Sequence, residues 1–165
     1  MAKSIESLKQ ILDEQVKTYT DLADGIRAQH QLICEGRYSA LAKNLEQEIA
    51  LIARAKYLEQ ARIELIWEMA ARGELPGENL TLSEVIQHIG ADDGDAASLD
   101  RVRSRLRAAV DNLREVNART AELIRVSLHA IDRMRTQVFG NNGKSYTARG
   151  AAAHQEKTSV VNRQG

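Results

Sequence analysis

The chain has few of the residues on which catalytic and secreted proteins depend. Its 165 residues include one cysteine and four histidines. Cys34 therefore has no partner for an intramolecular disulfide, and no cysteine cluster is available for a metal. There is no His-Glu-x-x-His pair, no glycine-rich phosphate loop and no nucleophile elbow. We expect no catalytic site, no metal site and no cofactor, and we expect Cys34 to be semi-buried near a helix end.

Long hydrophobic runs and an excess of charge are also missing. No apolar stretch approaches the roughly 20 residues that span a bilayer. The first ten residues lack the hydrophobic block of a secretion signal. The 23 Lys and Arg balance the 23 Asp and Glu, so net charge favours neither nucleic acid nor an anionic membrane. We expect a cytoplasmic protein with no nucleic-acid partner and no membrane insertion.

With a single proline, the chain leaves long segments free to form helices. Ile5, Leu12, Tyr19, Ile26 and Ile33 recur at seven-residue intervals, which is the heptad seam of helices that pack side by side. Gln15 and Gln29 stand where apolar residues of the seam would be expected, so the seam is polar in places. Gly25 interrupts the pattern. It marks either a close approach of a neighbouring backbone or a locally less stable stretch of the helix.

A second helix is predicted to follow a stop at Gly36 and to run antiparallel from about Arg37 to Ala71. Trp67, near its end, either packs in the core or contacts a partner. The apolar positions that mark its inner side are Tyr38, Leu41, Leu45, Ile49, Ile52, Leu58, Ile63, Ile66 and Met69, and Leu51 and Leu65 broaden this side.

Pro76, flanked by Gly73 and Gly77, ends this second helix. Thr81 and Glu84 then have the spacing of a capping box, which predicts a short helix closing over one end of the bundle. The apolar side of that helix is Leu82, Val85, Ile86 and Ile89. The acidic loop at 90–95 lacks the ligand spacing of a calcium loop.

The longest helical pattern runs from Leu99 to Val138, with Ser98 as its cap, and would span roughly 60 Å. Arg103, Arg107 and Arg114 share one flank, together with Arg125. We expect a solvated, salt-bridged face, with a nucleic-acid groove as the alternative. The sequence predicts an elongated all-α fold: an antiparallel bundle of three long helices with a short connecting helix over 1–139, then a flexible glycine-containing tail over 140–165.

The order of several motifs resembles that of the FlgN family of flagellar export chaperones. The resemblance covers about residues 5–150 and ends on an aromatic-Gly-x-x-Gly element. It is carried by QHQLICEG at 29–36, KYLEQAR at 56–62, TLSEVI at 81–86, the Asn117, Leu123-Ile124, Ser127-Leu128 pattern, and Phe139-Gly140-x-x-Gly143.

This resemblance implies a cytosolic chaperone that binds the C-terminal helical segments of hook-associated proteins, prevents their premature assembly and delivers them to the export gate. The family usually has Tyr where this chain has Phe139, at a position linked to gate docking; the ring is kept, and the hydroxyl hydrogen bond is lost. The expected partner-binding residues are Leu123, Ile124, Leu128, Ile131, Met134, Val138, Phe139, Gly140, Gly143 and Tyr146.

A different class of function remains open at this stage. The Ile5–Ile33 seam is also typical of a coiled-coil scaffold that self-associates. Such a scaffold should be a stable oligomer at micromolar concentration, whereas a chaperone with a free groove should be a monomer or a weak homodimer. Light scattering distinguishes the two.

Overall fold

The described part of the chain forms four helices. A computed structural model describes the backbone of residues 1–90 and 94–160 and the side chains of 1–90 and 94–137. The helices are α1 (Ala2–Glu35), α2 (Tyr38–Ala71), α3 (Leu82–Ile89) and α4 (Gly94–Val160), and the described backbone contains no strand. Three long helices and one short helix confirm the predicted all-α class.

The turns between the first three helices follow local sequence signals. Gly36 adopts the left-handed conformation with φ 68°, and its N–H donates to the Ile33 carbonyl oxygen at 3.2 Å. At α3, the Thr81 hydroxyl accepts from the Glu84 N–H, and the Glu84 carboxylate accepts from the Thr81 N–H at 2.7 Å. The N–H groups of Thr81 and Glu84, which have no partner within the helix, are thereby hydrogen-bonded, as a capping box requires. The predicted stop and the predicted capping box are confirmed.

The bounds of α4 differ from the predicted ones at both ends. The helix begins at Gly94 with Asp95 in its first turn, so Ser98 lies inside the helix and is not its cap. Asp95 is favoured there because the first turn is the positive end of the helix dipole. At the other end the helix continues past Gly140 to Val160, through good helix formers such as Ala151 and Glu156. The flexibility of 140–165 stays a prediction, and 161–165 lie outside the described residues.

The chain divides into two compact units, Met1–Thr120 and Ala121–Gly165. In the first unit α1 and α2 are antiparallel, because the Met1 ammonium lies 3.3 Å from Glu74 and the Asn44 amide donates to the Gly25 carbonyl. α4 runs in the same direction as α1, since Arg105 donates to Asp13 at 2.8 Å and Arg27 to Asn112 at 2.5 Å. The predicted boundary at 139/140 falls inside the second unit.

The aliphatic core lies at one end of this first unit. Leu8 and Leu12 from α1 are fully buried, as are Met69 from α2, Val85 from α3 and Leu99 from α4. Burial of each large aliphatic side chain stabilises the fold by about 1.5–3 kcal/mol. As predicted, α3 closes over the end of the bundle, because Val85 belongs to the same cluster as Leu8 and Met69.

The prediction for the inner side of α2 is wrong over its N-terminal half. Of the predicted positions only Leu58, Ile66 and Met69 are buried, and Ile49 is 67% exposed. The predicted Leu41 and Leu51 are half-buried, and so are the unpredicted Asn44, Glu48 and Ala55. The Asn44 amide contacts α1. The apolar stripe of α2 is broad, and α1 covers only one edge of it. The other exposed members of the predicted set are Tyr38, Leu45 and Ile52.

Two further side chains are more exposed than expected. Trp67 is 50% exposed, which excludes full burial in the core and leaves its indole accessible to a partner. Cys34 is exposed, where the sequence predicts a semi-buried thiol. It lies one residue before the end of α1, where α2 turns back and little of either helix is covered.

Candidate partner-binding surface

The second unit presents an uncovered apolar surface along α4. Leu128 is 62% exposed, Ile131 60% and Met134 61%. Ile124 is also exposed, and Leu123 is half-buried. We call these five residues the C-terminal apolar face.

The five side chains fall on one side of the helix. At about 100° per residue they occupy an arc of about 140°. Val126, another exposed apolar residue of this segment, points about 140° away from Ile131 by the same rule. A contiguous exposed patch of large aliphatic side chains is typical of a protein interaction site.

The opposite side of this segment carries paired charges. Arg125 donates from Nε and Nη2 to the two carboxylate oxygens of Glu122, at 2.9 and 2.7 Å. This hydrogen bonding lowers the pKa of Glu122 and raises the pKa of Arg125. The charges of Glu122 and Arg125 therefore offset each other, and the C-terminal apolar face is the feature of this segment that can attract a partner.

The remaining predicted site residues lie outside the described side chains. Their backbone belongs to α4, because the helix continues to Val160. The structure brings five of the ten predicted partner-binding residues together on one side of α4, and the partner-binding role of all ten stays a prediction. The five outside the described side chains are Val138, Phe139, Gly140, Gly143 and Tyr146.

The arginines of α4 form ion pairs along the helix, as predicted for a salt-bridged face. Arg103 pairs with Asp100 at 2.7 Å, and Arg114 lies 3.6 Å from Asp111. Exposed pairs of this kind are each worth at most about 1 kcal/mol. Five of the nine described arginines of α4 pair with carboxylates of the same helix, which favours the salt-bridged face over the nucleic-acid groove.

A polar contact crosses the first unit between α1 and α2. Buried Gln15 donates from Nε2 to Glu59 at 3.0 Å, and Arg62 donates to both Glu59 oxygens at 2.6 and 3.0 Å. The hydrogen bonds from Arg62, opposed in part by burial, hold the pKa of Glu59 below its usual range. Burial, together with the nearby Glu59 charge, raises the pKa of Tyr19. Because both oxygens of Glu59 are engaged, this group holds the two helices in register.

Within residues 1–90 and 94–160, no helix is long and apolar enough to cross a membrane. Among the side chains that the structure describes, no three of His, Cys, Asp and Glu are grouped so as to hold a metal ion.

Comparison with known proteins connects this fold to one family. A family model described as FlgN protein matches residues 1–154, which include all four helices up to the last turns of α4. No curated protein and no solved structure matches the chain. Because the match covers nearly the whole chain, the protein belongs to the FlgN family of flagellar export chaperones.

Proposed function

We propose that this chaperone binds the C-terminal helical segments of hook-associated proteins in the cytoplasm, prevents their premature assembly and delivers them to the flagellar export apparatus. The observation that carries the proposal is the C-terminal apolar face, which is exposed on a helix of a family of export chaperones. An amphipathic cargo helix would lay its own apolar side against this face. The same contact would occupy the surface with which the cargo assembles.

The exposed area of the C-terminal apolar face indicates how much binding free energy it supplies. Leu128, Ile131 and Met134 each keep about three fifths of their surface exposed. Complete burial of such a side chain contributes about 1.5–3 kcal/mol, so the three contribute roughly 3–6 kcal/mol on binding. Association costs an estimated 4–15 kcal/mol in lost translational and rotational freedom. The face therefore needs further anchors for stable binding.

The residues that follow the face are the natural source of those anchors. Val138, Phe139 and Tyr146 add three large side chains, two of them aromatic, and aromatic residues dominate interface energetics. Gly140 and Gly143 lack a Cβ, which permits close approach of a bound backbone. We assign the docking on the export gate to the ring of Phe139. The family usually has Tyr at this position, so docking through Phe139 would lack the hydrogen bond of the Tyr hydroxyl.

The rival scaffold function is disfavoured by the use of the α1 seam within the chain. Ile5, Leu12 and Ile26 are buried against the chain's own helices. A self-associating coiled coil would need this seam on its surface. We propose a monomer or a weak homodimer in the free state.

Point substitutions on opposite sides of the helix test the site. Leu128→Ser and Ile131→Ser each remove an exposed side chain from the C-terminal apolar face. Val126→Ser removes one of similar exposure, 53%, from the other side. Isothermal titration of each variant with the purified C-terminal segment of a hook-associated protein from the same organism measures the dissociation constant.

We expect the two face variants to bind about tenfold more weakly, which corresponds to about 1.4 kcal/mol. The Val126→Ser variant should bind like the unchanged chain. Far-UV circular dichroism should show the same helicity in all four proteins, because none of the three side chains is buried. Equal affinities across the set would exclude this face as the cargo site.

A truncation tests the predicted anchors separately. A chain ending at Val138 retains the core of the first unit and should show the same thermal transition for that core. It should bind the cargo segment more weakly, because Phe139 and Tyr146 are removed. Unchanged cargo affinity in the truncated chain would restrict recognition to the C-terminal apolar face.

A further inference from the structure

The first unit contains an open groove that the C-terminal apolar face does not involve. Its volume is about 700 Å³. α2 forms one wall, the segment that leads into α3 and the first turn of α3 form one end, and α4 forms the other wall. Its apolar lining consists of Leu12, Leu80, Leu82, Leu106 and Val110.

Arginines line both walls of this groove. Arg62 lies on the α2 side, and Arg103, Arg107 and Arg114 lie on the α4 side. At 1.5 Å per residue, the α4 arginines extend over about 16 Å, or three helical turns. A row of this length matches the charged edge of an extended or helical segment better than it matches a compact small molecule. We call this surface the arginine groove.

The ionisable side chains of the groove give it a positive charge. The lining contains four arginines and two carboxylates, Glu59 and Asp111, and Arg103 is paired with Asp100 at its edge, which leaves a net charge of +1. Glu59 is engaged by Arg62 and Gln15, so its charge is not free to attract a cation. Arg107 is exposed and has no ion-pair or hydrogen-bond partner among the described residues.

We propose that the arginine groove binds an amphipathic helix with an acidic edge, contributed by another polypeptide. The half-buried Leu80, Leu82 and Leu106 would receive the apolar side of that helix, and Arg107 and Arg114 would face its carboxylates. This combination of an apolar lining and a complementary charged rim is how proteins commonly recognise helices. The site lies wholly within the first unit and shares no residue with the C-terminal apolar face.

Charge excludes the chain's own C-terminal segment as the occupant. Residues 140–165 carry Lys144, Arg149, Lys157 and Arg163 against the single Glu156, a net charge of +3. A segment of that charge gains no electrostatic attraction from a groove of net charge +1, because like charges that face each other destabilise a contact. The occupant is therefore an acidic segment of a different chain.

The only tryptophan of the sequence lies next to the groove and reports on its occupancy. Trp67 lines a small adjoining cavity, which shares Arg62, Asn79 and Leu80 with the arginine groove. Its indole is half exposed. A helix that settles in the groove would exclude water from this indole and shift its emission to shorter wavelength.

The test uses the full chain and two synthetic peptides without tryptophan. Each peptide is about 18 residues long, or five helical turns, with leucines along one side. One peptide carries Glu along the edge, and the other carries Lys at the same positions. Titration of the Trp67 emission measures binding to the unchanged chain, to Arg107→Glu and to Arg101→Glu.

Arg101→Glu is the matched control. Arg101 is exposed on the same helix and does not line the groove; its Nε donates only to the Ala97 carbonyl. We expect saturable binding of the Glu peptide only. We expect Arg107→Glu to weaken it about fivefold to tenfold, because the reversal removes an attraction and adds a repulsion. Arg101→Glu should change it less than twofold.

Several results would overturn the proposal. Absence of a saturable shift with the Glu peptide would do so, as would equal binding of the Lys peptide or equal effects of the two substitutions. Sedimentation equilibrium of the chain alone supplies the last comparison. A dimer that Arg107→Glu dissociates would assign the groove to a second copy of this chain instead.

Discussion

Gly25 and Gly36 offer a paired test of the backbone of the α1–α2 hairpin. Gly25 lies inside α1 without a positive φ, and a Cβ built on it meets nothing within 4 Å. The close approach that the sequence left open is therefore absent. Glycine is about 0.8–1 kcal/mol less favourable than alanine inside a helix. We expect Gly25→Ala to raise the free energy of unfolding by about 0.5–1 kcal/mol.

The same substitution at Gly36 should have the opposite sign. A Cβ at Gly36 also meets nothing within 4 Å, so space does not distinguish the two positions. Gly36 has φ 68° at the end of α1, and an L-residue in the left-handed conformation costs roughly 1–2 kcal/mol. Part of that cost is offset by the lower entropy of the unfolded alanine chain. We expect Gly36→Ala to lower the free energy of unfolding by about 1 kcal/mol.

Urea denaturation followed by far-UV circular dichroism measures both effects. The midpoint should rise for Gly25→Ala and fall for Gly36→Ala, with the slope unchanged in both, because neither substitution alters the surface exposed on unfolding. The Asn44 hydrogen bond to the Gly25 carbonyl is a backbone contact that alanine keeps. A lower midpoint for Gly25→Ala, or an unchanged one for Gly36→Ala, would refute the reasoning.

Three further predictions concern the first unit. The folded-state pKa of Glu59 lies below its ordinary value of 4.5. Its contribution to stability is therefore present above that pH and is lost as pH falls through the folded pKa. We expect the urea midpoint of Glu59→Gln to fall less on acidification than the midpoint of the unchanged chain. Thr81→Ala removes the capping box of α3 and should cost about 1 kcal/mol, with faster amide exchange over Leu82–Ile89 as the local readout. Leu12→Ala should lower the free energy of unfolding by about 2–5 kcal/mol because Leu12 is fully buried, whereas Leu128→Ala should change it by less than about 0.5 kcal/mol.

The helix bounds near the turns could be predicted because each depends on a few neighbouring residues. Gly36 supplies the left-handed residue of a helix end, and Thr81 and Glu84 form their capping box within one turn. The position of the C-terminal end of α4 does not follow from a few neighbouring residues in the same way. Gly140, Gly143 and Gly150 are weak helix formers, yet the backbone stays helical through all three to Val160, so local propensity did not predict this end.

The face that each helix buries could not be predicted as well, because it depends on where the neighbouring helix lies. At about 100° per residue, Ile49 lies about 180° and Ile52 about 120° around α2 from buried Leu58, and α1 covers the Leu58 side. The same difficulty affects the candidate site. Leu128 and Ile131 have the spacing of core residues, and periodicity is the same whether the apolar side contacts the chain itself or a partner. The family resemblance, not the spacing, indicated their role.

Complex formation with a cargo tests the central claim most directly. The full chain is mixed with the purified C-terminal segment of a hook-associated protein from the same organism and analysed by size exclusion with light scattering. The account predicts a complex whose mass exceeds that of either component, and a free chain that is a monomer or a weak dimer. Absence of a complex, with the chain alone forming a tight oligomer at micromolar concentration, would contradict the account and favour a scaffold.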